Sequence, residues 1–261
     1  DNAANSPTQT VALSGNGVDA TAPSVTAPAQ SFVVPASVTV LAPLANSTVP
    51  MVISWSATDP GGSGIASYEL QQSVNGGAFT SVQLPSPTAT SVMLNLKGGT
   101  FNAPISYRFQ VRARDGVGNV SAWTVGQTFT LSLLDDTAAG PVTYQGGWST
   151  ASVAGSYGGA VHFATQPGPR ANLNKVSFTF TGSATWFSTM GPDRGQASVS
   201  IDGGAPFTVD LYSPTVQPAR IVAAVTNIAS GTHTVTITVL GTRSAASTGT
   251  RVDIDGFALQ R

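Results

Sequence analysis

Residues 107–123 read YRFQVRARDGVGNVSAW, and this stretch decides the fold class of the first half of the chain. Apolar and polar residues alternate from Tyr107 to Arg114, which is the period of a strand with one buried face. The predicted inward face carries Tyr107, Phe109, Val111 and Ala113, and the outward face carries Arg108, Gln110, Arg112 and Arg114. The Asp-Gly and Gly-Asn steps that follow are typical of a turn. The stretch therefore predicts a strand, a turn and a return towards Trp123.

Composition extends this interpretation to all 261 residues. Only 9% of the residues are charged, with two lysines and one glutamate. Because long helix-forming side chains are scarce while Thr, Ser, Val and Gly are abundant, the sequence predicts an all-β fold. The net charge of -1 argues against a nucleic-acid partner. The 28 Gly and 17 Pro residues interrupt every apolar run, so no membrane span is expected.

Breaks in the strand pattern predict two β-sandwich domains in tandem. Short strands with turn signals recur through residues 37–134, and the small and acidic residues 135–140 predict a linker before a second domain at residues 141–261. The Pro- and Ala-rich residues 21–36 predict a linker or an edge strand. Residues 1–20 predict an N-terminal strand, either the remnant of a preceding domain in a longer parent protein or a strand that pairs elsewhere.

The first predicted domain has a recognisable order of motifs. Trp55 lies on an early strand, a Gly-rich turn after Asp59 leads to Tyr68, and YRFQVRARDGVGNVSAW ends at Trp123. Over about a hundred residues this resembles a bacterial fibronectin type III or immunoglobulin-like domain. The resemblance implies a spacer or presentation module.

The second predicted domain contains rows of alternating apolar residues, such as Val176, Phe178 and Phe180, that two facing sheets would bury. Its motifs are, in order, YQGGW at 144–148, FTFTGSATWF at 178–187, GPDRG at 191–195, IDG at 201–203, SGTHT at 230–234 and VDIDGF at 252–257. Together they resemble the carbohydrate-binding-module-like, galactose-binding-like jelly rolls of bacterial secreted and surface proteins. That resemblance implies non-catalytic binding of sugars.

Sugars offer apolar C–H faces and a rim of hydroxyls, so aromatic rings and short polar side chains are the expected contacts. The candidate aromatic platforms are Tyr144, Trp148, Tyr157, Trp186 and Tyr212. The candidate hydroxyl partners are Asp193, Arg194, Gln217 and Arg220. Two alternatives stay open, since Trp186 also suits a core position and Asp193 also suits pairing with Arg194.

Two acids form a candidate metal site in the last motif. Asp253 and Asp255 flank the apolar Ile254, so they project from the same side of a strand and would offer oxygen ligands to a structural calcium ion. A plain solvated strand face is the alternative, and the sequence requires no cofactor. In the first domain Asp59 and Asp115 with Asn119 are predicted to stabilise turns.

The sequence predicts no enzyme activity. Glycoside hydrolysis needs two suitably separated carboxylates, yet Glu69 is the only glutamate and lies in the spacer domain. The chain has no Gly-x-Ser-x-Gly pentad, no cysteine, and two isolated histidines, His162 and His233, that suit structural roles.

These observations favour a non-catalytic carbohydrate-binding or adhesive module on a β-sandwich stalk, in a secreted or surface-exposed bacterial protein. Its expected partner is a polysaccharide or glycan, and its expected location is extracellular or at the cell surface. The alternative is a structural subunit of an extracellular filament or sheath, assembled by strand donation through residues 8–15. An accessory module of a larger enzyme is a third reading.

Overall fold

The computed structural model describes residues 18–33, 47–137, 141–166, 174–226 and 229–261, and β-strands dominate these residues, which confirms the all-β prediction. The strands of the first half are β1 (Ser24–Val25), β2 (Ala29–Phe32), β3 (Thr48–Ser54), β4 (Ala57–Thr58), β5 (Ile65–Val74), β6 (Thr80–Val82), β7 (Ser91–Lys97), β8 (Gly99–Thr100), β9 (Ile105–Asp115), β10 (Thr124–Val125) and β11 (Phe129–Asp135). Those of the second half are β12 (Val142–Gln145), β13 (Ser149–Ser152), β14 (Ala160–Thr165), β15 (Lys175–Thr181), β16 (Ser183–Met190), β17 (Gln196–Ile201), β18 (Phe207–Asp210), β19 (Gln217–Val225), β20 (Thr232–Val239), β21 (Arg251–Ile254) and β22 (Gly256–Gln260). A 3-10 turn spans Tyr157–Gly159.

The first sandwich packs the sheet β2-β3-β7 against β6-β5-β9 and β11. The inward row predicted on β9, from Tyr107 to Ala113, is buried, and the ring of Trp55 meets that of Tyr68 edge to face at 5.9 Å. Within the segment predicted as a linker or edge strand, β2 lies at the edge of the three-stranded sheet and β1 pairs with β4. Membership of the fibronectin type III or immunoglobulin-like family stays a prediction.

In the second sandwich, the sheet β12-β15-β20-β17-β18 packs across the core against β16 and β22. Strands β13-β14-β21 form a third sheet. Phe178 and Phe180 are buried as their alternation predicted, and the ring of Phe178 stacks on that of Phe257 at 4.6 Å. The apolar rows therefore fill one core between the sheets.

One sheet connects the two sandwiches. Its strand order is β19-β16-β22-β11-β9-β5-β6, and β11 pairs with β9 on one side and with β22 on the other. Leu131 and Leu133 lie in the first core, whereas the adjacent Leu134 lies in the second. Because successive side chains of a strand point to opposite faces, the two cores lie on opposite faces of this shared sheet.

Strands of the second half also complete the first core. Phe187 and Ala258 pack into the first core, while their neighbours Trp186, Phe257 and Leu259 pack into the second. Strands β16 and β22 are thus buried on both faces, which explains their nearly continuous burial. The expected division into separate tandem domains stays a prediction.

The segment predicted as a linker begins inside this shared structure. Asp135 is the last residue of β11, and the buried Asp136 accepts a hydrogen bond from the backbone N–H of His162 on β14. Residues 138–140 lie outside the described residues, as do residues 1–17 with the proposed strand-donating segment 8–15. None of the helical structure in the described ranges has the length and apolar character needed to cross a membrane.

Gly256, between β21 and β22, provides a test of the shared sheet. Its φ is 152°, and a Cβ there would collide with the carbonyl oxygen of Leu134 and the ring of Phe187. We expect Gly256→Ala to lower the free energy of unfolding by about 2–4 kcal/mol, from backbone strain and overpacking. Urea unfolding followed by tryptophan fluorescence, and thermal unfolding followed by calorimetry, should show both sandwiches destabilised in one transition.

The matched control is Gly147→Ala, because a Cβ at Gly147 has no atom within 4 Å. That variant should stay within about 0.5 kcal/mol of the parent. Two separate unfolding transitions, of which Gly256→Ala moves only one, would show that the sandwiches are energetically independent.

Candidate functional site

Three loops meet at one end of the second sandwich, and we call residues 191–195, 211–217 and 244–250, together with Phe163, Arg251 and Asp253, the loop-end cluster. The backbone N–H of Gly191 donates to the carbonyl of Leu211 at 3.1 Å, and that of Thr248 donates to the carbonyl of Pro192 at 2.8 Å. The hydroxyl of Ser247 donates to the carbonyl of Arg194 at 2.6 Å. Backbone hydrogen bonds therefore fix the loops to one another.

A buried ion network lies beneath these loops. Arg194 donates to Asp253 Oδ2 through Nε at 3.0 Å and Nη2 at 2.8 Å, and Arg251 Nε donates to Oδ1 at 2.6 Å. Arg194 Nη1 also contacts Asp193. Burial raises the pKa of Asp253, while the two guanidinium groups oppose that rise. Both oxygens of this fully buried carboxylate are thus held by guanidinium groups.

The outer part of the cluster combines aromatic and polar side chains. The Asp193 side chain is 50% exposed, and the guanidinium of Arg251 lies 3.9 Å from the ring centre of Phe163 on β14. Tyr212 is half-buried, and its backbone N–H donates to Asp210 Oδ1 at 2.9 Å. Gln217 Nε2 donates to the hydroxyl of Ser213 at 3.0 Å. The loop-end cluster therefore contains partly exposed rings and short hydrogen-bonding groups.

The structure brings together several side chains predicted from sequence. Asp193, Arg194, Tyr212 and Gln217 belong to the cluster, and Arg220 pairs across the strands with Ser188, whose hydroxyl donates to the Asp253 carbonyl at 2.6 Å. The Arg194 side chain is only 6% exposed, so it supports the site from below instead of contacting a ligand.

Phe163 and Arg251 complete the cluster and were not identified from sequence. Phe163 reaches it only because β14 pairs with β21, placing Phe163 opposite Asp253. That contact between distant residues leaves no local signal. Arg251, two residues before Asp253, had one, because residues i and i+2 of a strand share a face.

The remaining aromatic candidates lie elsewhere. Trp186 is 2% exposed and fills the second core, which excludes it as a platform and agrees with the alternative considered for it. Tyr144 stacks on His162 at 4.6 Å, and Trp148 meets Tyr144 edge to face at 5.2 Å. Tyr157 lies against Phe187, where its backbone N–H donates to Asp255. The predicted platforms therefore form no single surface.

Two buried carboxyl groups lie near the junction of the sandwiches. Burial, together with the smaller effect of the negative charges of Asp136 and Asp135, raises the pKa of Asp255 to about 8. Burial also raises the pKa of Asp136, to about 6, against the opposing effect of its contact with His162. Among the described residues, Asp136 Oδ1 and Asp255 Oδ2 are buried without a hydrogen-bond partner. A neutral, protonated Asp255 is thus favoured at neutral pH.

Calcium binding by Asp253 and Asp255 stays a prediction that these contacts do not favour. Asp253 is neutralised by two guanidinium groups, Asp255 Oδ1 accepts the N–H of Tyr157, and both residues are buried instead of forming a solvated strand face. The two acids therefore lie in different environments, although a single residue separates them.

In the first sandwich, carboxylate oxygens of Asp19, Asp59 and Asp115 lie within 4.8 Å of one another, a spacing that a hard cation could bridge. Asp115 accepts the N–H groups of Val117, Gly118 and Asn119, and Asp59 accepts those of Gly61 and Gly64. These contacts confirm the predicted turn-stabilising roles of Asp59 and Asp115.

Comparisons with known proteins find relatives for parts of the chain. No family model matches it. Endoglucanase B of Cellulomonas fimi is 35% identical over 151 residues, which cover 54% of this chain and 13% of that protein. The chain therefore spans about an eighth of the length of this relative.

Solved structures with a similar arrangement include two carbohydrate-binding modules. A family 35 module from Clostridium thermocellum aligns with a TM-score of 0.34 and 13% identity, covering 49% of this chain and 97% of the module. A CBM35 module from Cellvibrio japonicus aligns with a TM-score of 0.35 and 17% identity, covering 50% of this chain and 96% of the module.

The raised pKa of Asp255 predicts a pH-dependent stability. Because the folded-state pKa of about 8 lies above the ordinary value, protonation favours the folded state at low pH, and this contribution is lost as pH rises through about 8. We expect the free energy of unfolding to fall between pH 4 and pH 9. Each unit of pKa shift contributes at most about 1.4 kcal/mol to this fall. Asp255→Asn, which stays neutral, should flatten this slope in urea titrations.

Asp193→Asn is the control, since it removes one acid at an exposed position and should keep the parent slope. A parent profile that is flat or rises over this range would contradict the assignment. Stabilisation by millimolar calcium at pH 8 that Asp255→Asn abolishes would show that a cation, and not a proton, neutralises this carboxyl group.

Proposed function

We propose that this protein is a non-catalytic carbohydrate-binding module whose loop-end cluster holds a glycan chain. The observations that carry the proposal are the partly exposed Tyr212, Phe163, Asp193 and Gln217. Two of these side chains, Asp193 and Phe163, contact the buried Arg194–Asp253–Arg251 network. Rings of this kind cover the C–H faces of a sugar, while the short polar groups bind its hydroxyls. Fixed positions lower the ordering cost of binding.

The relative named endoglucanase B supports a glucan as the ligand class. Because the chain corresponds to 13% of that protein, an accessory module of a longer glycan-acting enzyme suits the match. We infer that such a parent protein is secreted or exposed at the surface of a bacterium, where polymeric glucans are accessible. The first sandwich then serves as a fibronectin-like stalk.

The surroundings of Asp253 and Glu69 support binding without hydrolysis, and Asp193 is left as an exposed acid of the loop-end cluster. Hydrolysis would need one carboxylic acid and one carboxylate on either side of a glycosidic bond. Asp253 is fully buried between two guanidinium groups, and Glu69 is paired with Arg112 at 2.8 Å on the other sandwich. Neither therefore faces a ligand in the loop-end cluster.

The shared sheet supports the stalk interpretation. A flexible linker would let the binding end rotate, whereas β11 pairs with both β9 and β22 and so joins the two sandwiches through backbone hydrogen bonds. The binding end would thus keep a fixed orientation relative to the first sandwich.

Calorimetry with cellohexaose and gel retardation in hydroxyethyl cellulose should detect this binding. We expect Tyr212→Ala and Phe163→Ala each to weaken affinity about 10- to 100-fold, since an aromatic side chain removed from water contributes about 1.5–3 kcal/mol. Their melting temperatures serve to exclude unfolding as the cause.

Phe207→Ala is the matched control, because Phe207 is a 43% exposed aromatic residue at the far end of β18 in the same sandwich. It should bind like the parent. The proposal fails if the parent binds no glucan, xylan or mannan, if it releases reducing sugar from them, or if Trp148→Ala abolishes binding that Tyr212→Ala and Phe163→Ala leave intact.

A further inference from the structure

A cavity of about 260 Å³ lies in the first sandwich, away from the loop-end cluster. It forms where the turn after β5 meets the beginning of β9, and its lining includes Gly76, Gly77, Phe79, Ser106, Arg108 and Thr128. The polar outward face of β9 predicted from sequence, of which Arg108 is the first arginine, thus begins at a concave site. The loop-end proposal does not use this face.

The turn that forms one wall of the cavity is held rigidly. Asn75 has a φ of 51° and Gly76 a φ of 73°, the positive values that a tight hairpin turn of the Asn-Gly type requires. The Asn75 N–H donates to the Ser106 carbonyl at 2.8 Å, and the Ser106 N–H donates back to Asn75 Oδ1 at 2.9 Å. The hydroxyl of Ser73 donates to the Gly77 carbonyl. The cavity therefore exists before any ligand enters.

Arg108 is a positively charged group without an acidic partner among the described residues. Its Nε–H donates to the carbonyl of Gly126 at 3.1 Å, which orients the guanidinium group and leaves its two terminal nitrogens without a described partner. The cavity lining contains no acid. The segments outside the described residues contain a single acid, Asp1.

The acids on β9 and on its neighbour β5 lie too far along these strands to neutralise Arg108. Glu69 pairs with Arg112, four residues further along β9, a distance of about 14 Å at the usual rise of an antiparallel strand. Asp115, at the far end of β9, is about 24 Å away by the same measure. Both distances exceed the Debye length of about 8 Å at physiological ionic strength. The charge of Arg108 is thus available to a ligand.

We propose that this cavity binds a carboxylate-bearing sugar, namely one uronic acid unit of an acidic polysaccharide. A guanidinium group pairs with a carboxylate through two parallel hydrogen bonds. The hydroxyls of Ser106 and Thr128 suit the ring hydroxyls of a sugar, and Phe79 offers an apolar face for its C–H groups. The volume, slightly below the range of about 300–1,000 Å³ for drug-sized ligands, suits a single sugar unit.

A nucleic acid fits the site less well. A phosphate chain needs several cations along its path, and the face beyond Arg108 presents Gln110 and then Arg112, which is already paired with Glu69. A polyuronate needs only one carboxylate at the cavity and neutral hydroxyl contacts beyond it. Gln110 and Gln71, which are hydrogen-bonded at 2.6 Å, provide amide groups there.

The test titrates the full ¹⁵N-labelled chain with methyl glucuronide and with methyl glucoside, which carries CH₂OH in place of the carboxylate. At constant ionic strength, the glucuronide should shift the amide signals of Gly76, Gly77, Ser106 and Arg108 and should bind at least tenfold tighter than the glucoside. Equal binding of both sugars, or shifts confined to other residues, would overturn the proposal. Sodium acetate and a short glutamate peptide are further probes, and binding of either as tight as the glucuronide would reject a sugar site.

Arg108→Gln should weaken glucuronide binding at least tenfold, and Arg108→Lys, which keeps the charge but loses the paired geometry, should lie between that variant and the parent. Arg243→Gln is the matched control, since it removes an exposed arginine on the second sandwich. Unchanged binding in a folded Arg108→Gln variant would refute the assignment. Tyr212→Ala should leave glucuronide binding intact. Failure of the cavity proposal can therefore be distinguished from failure of the loop-end proposal.

Discussion

The pairing of β11 with β22 is the constraint on which the rest of the structure depends. It runs in register from Leu131 opposite Gln260 to Asp135 opposite Gly256, and it joins strands that are more than a hundred residues apart in sequence. The two cores therefore lie on opposite faces of one sheet, and side chains of the second half such as Phe187 and Ala258 fill part of the first core. Neither core is complete without residues from the other half.

This arrangement determines what the two proposed sites can do together. The loop-end cluster is formed by connections of the second sandwich, whereas the Arg108 cavity lies beside β9 in the first. Since β9 and β22 are both neighbours of β11, the distance between the sites is set by hydrogen-bonded strands. Two sites at a fixed separation favour a polymer whose repeat allows both to be occupied, because simultaneous binding depends on geometry as well as on each affinity.

The sequence predicted the local parts of this fold and missed its connectivity. Alternation identified the buried rows that begin at Tyr107 and Val176, because a strand with one solvent-exposed face repeats every two residues. The shared sheet leaves a different signal, which is apolar residues at consecutive positions such as Leu133-Leu134 and Trp186-Phe187. Read correctly, those pairs indicate strands covered on both faces. The loop-end cluster was predicted in part, since Asp193, Arg194 and Tyr212 carry suitable side chains, while the link from Arg194 to Asp253 requires a tertiary contact that no spacing reveals.

The scarcity of charge makes the position of each arginine informative. The chain has only eleven basic and twelve acidic residues among its 261. Arg194 and Arg251 neutralise one buried carboxylate. The cost of removing such charged groups from water often cancels their mutual attraction, so this network contributes little to stability by itself. Its physical effect is to hold Asp193 and Phe163 in place, because Arg194 contacts the first and Arg251 lies against the second. Arg108 is the opposite case, an oriented guanidinium group with no acid nearby, so its charge acts on whatever enters the cavity instead of on the protein itself.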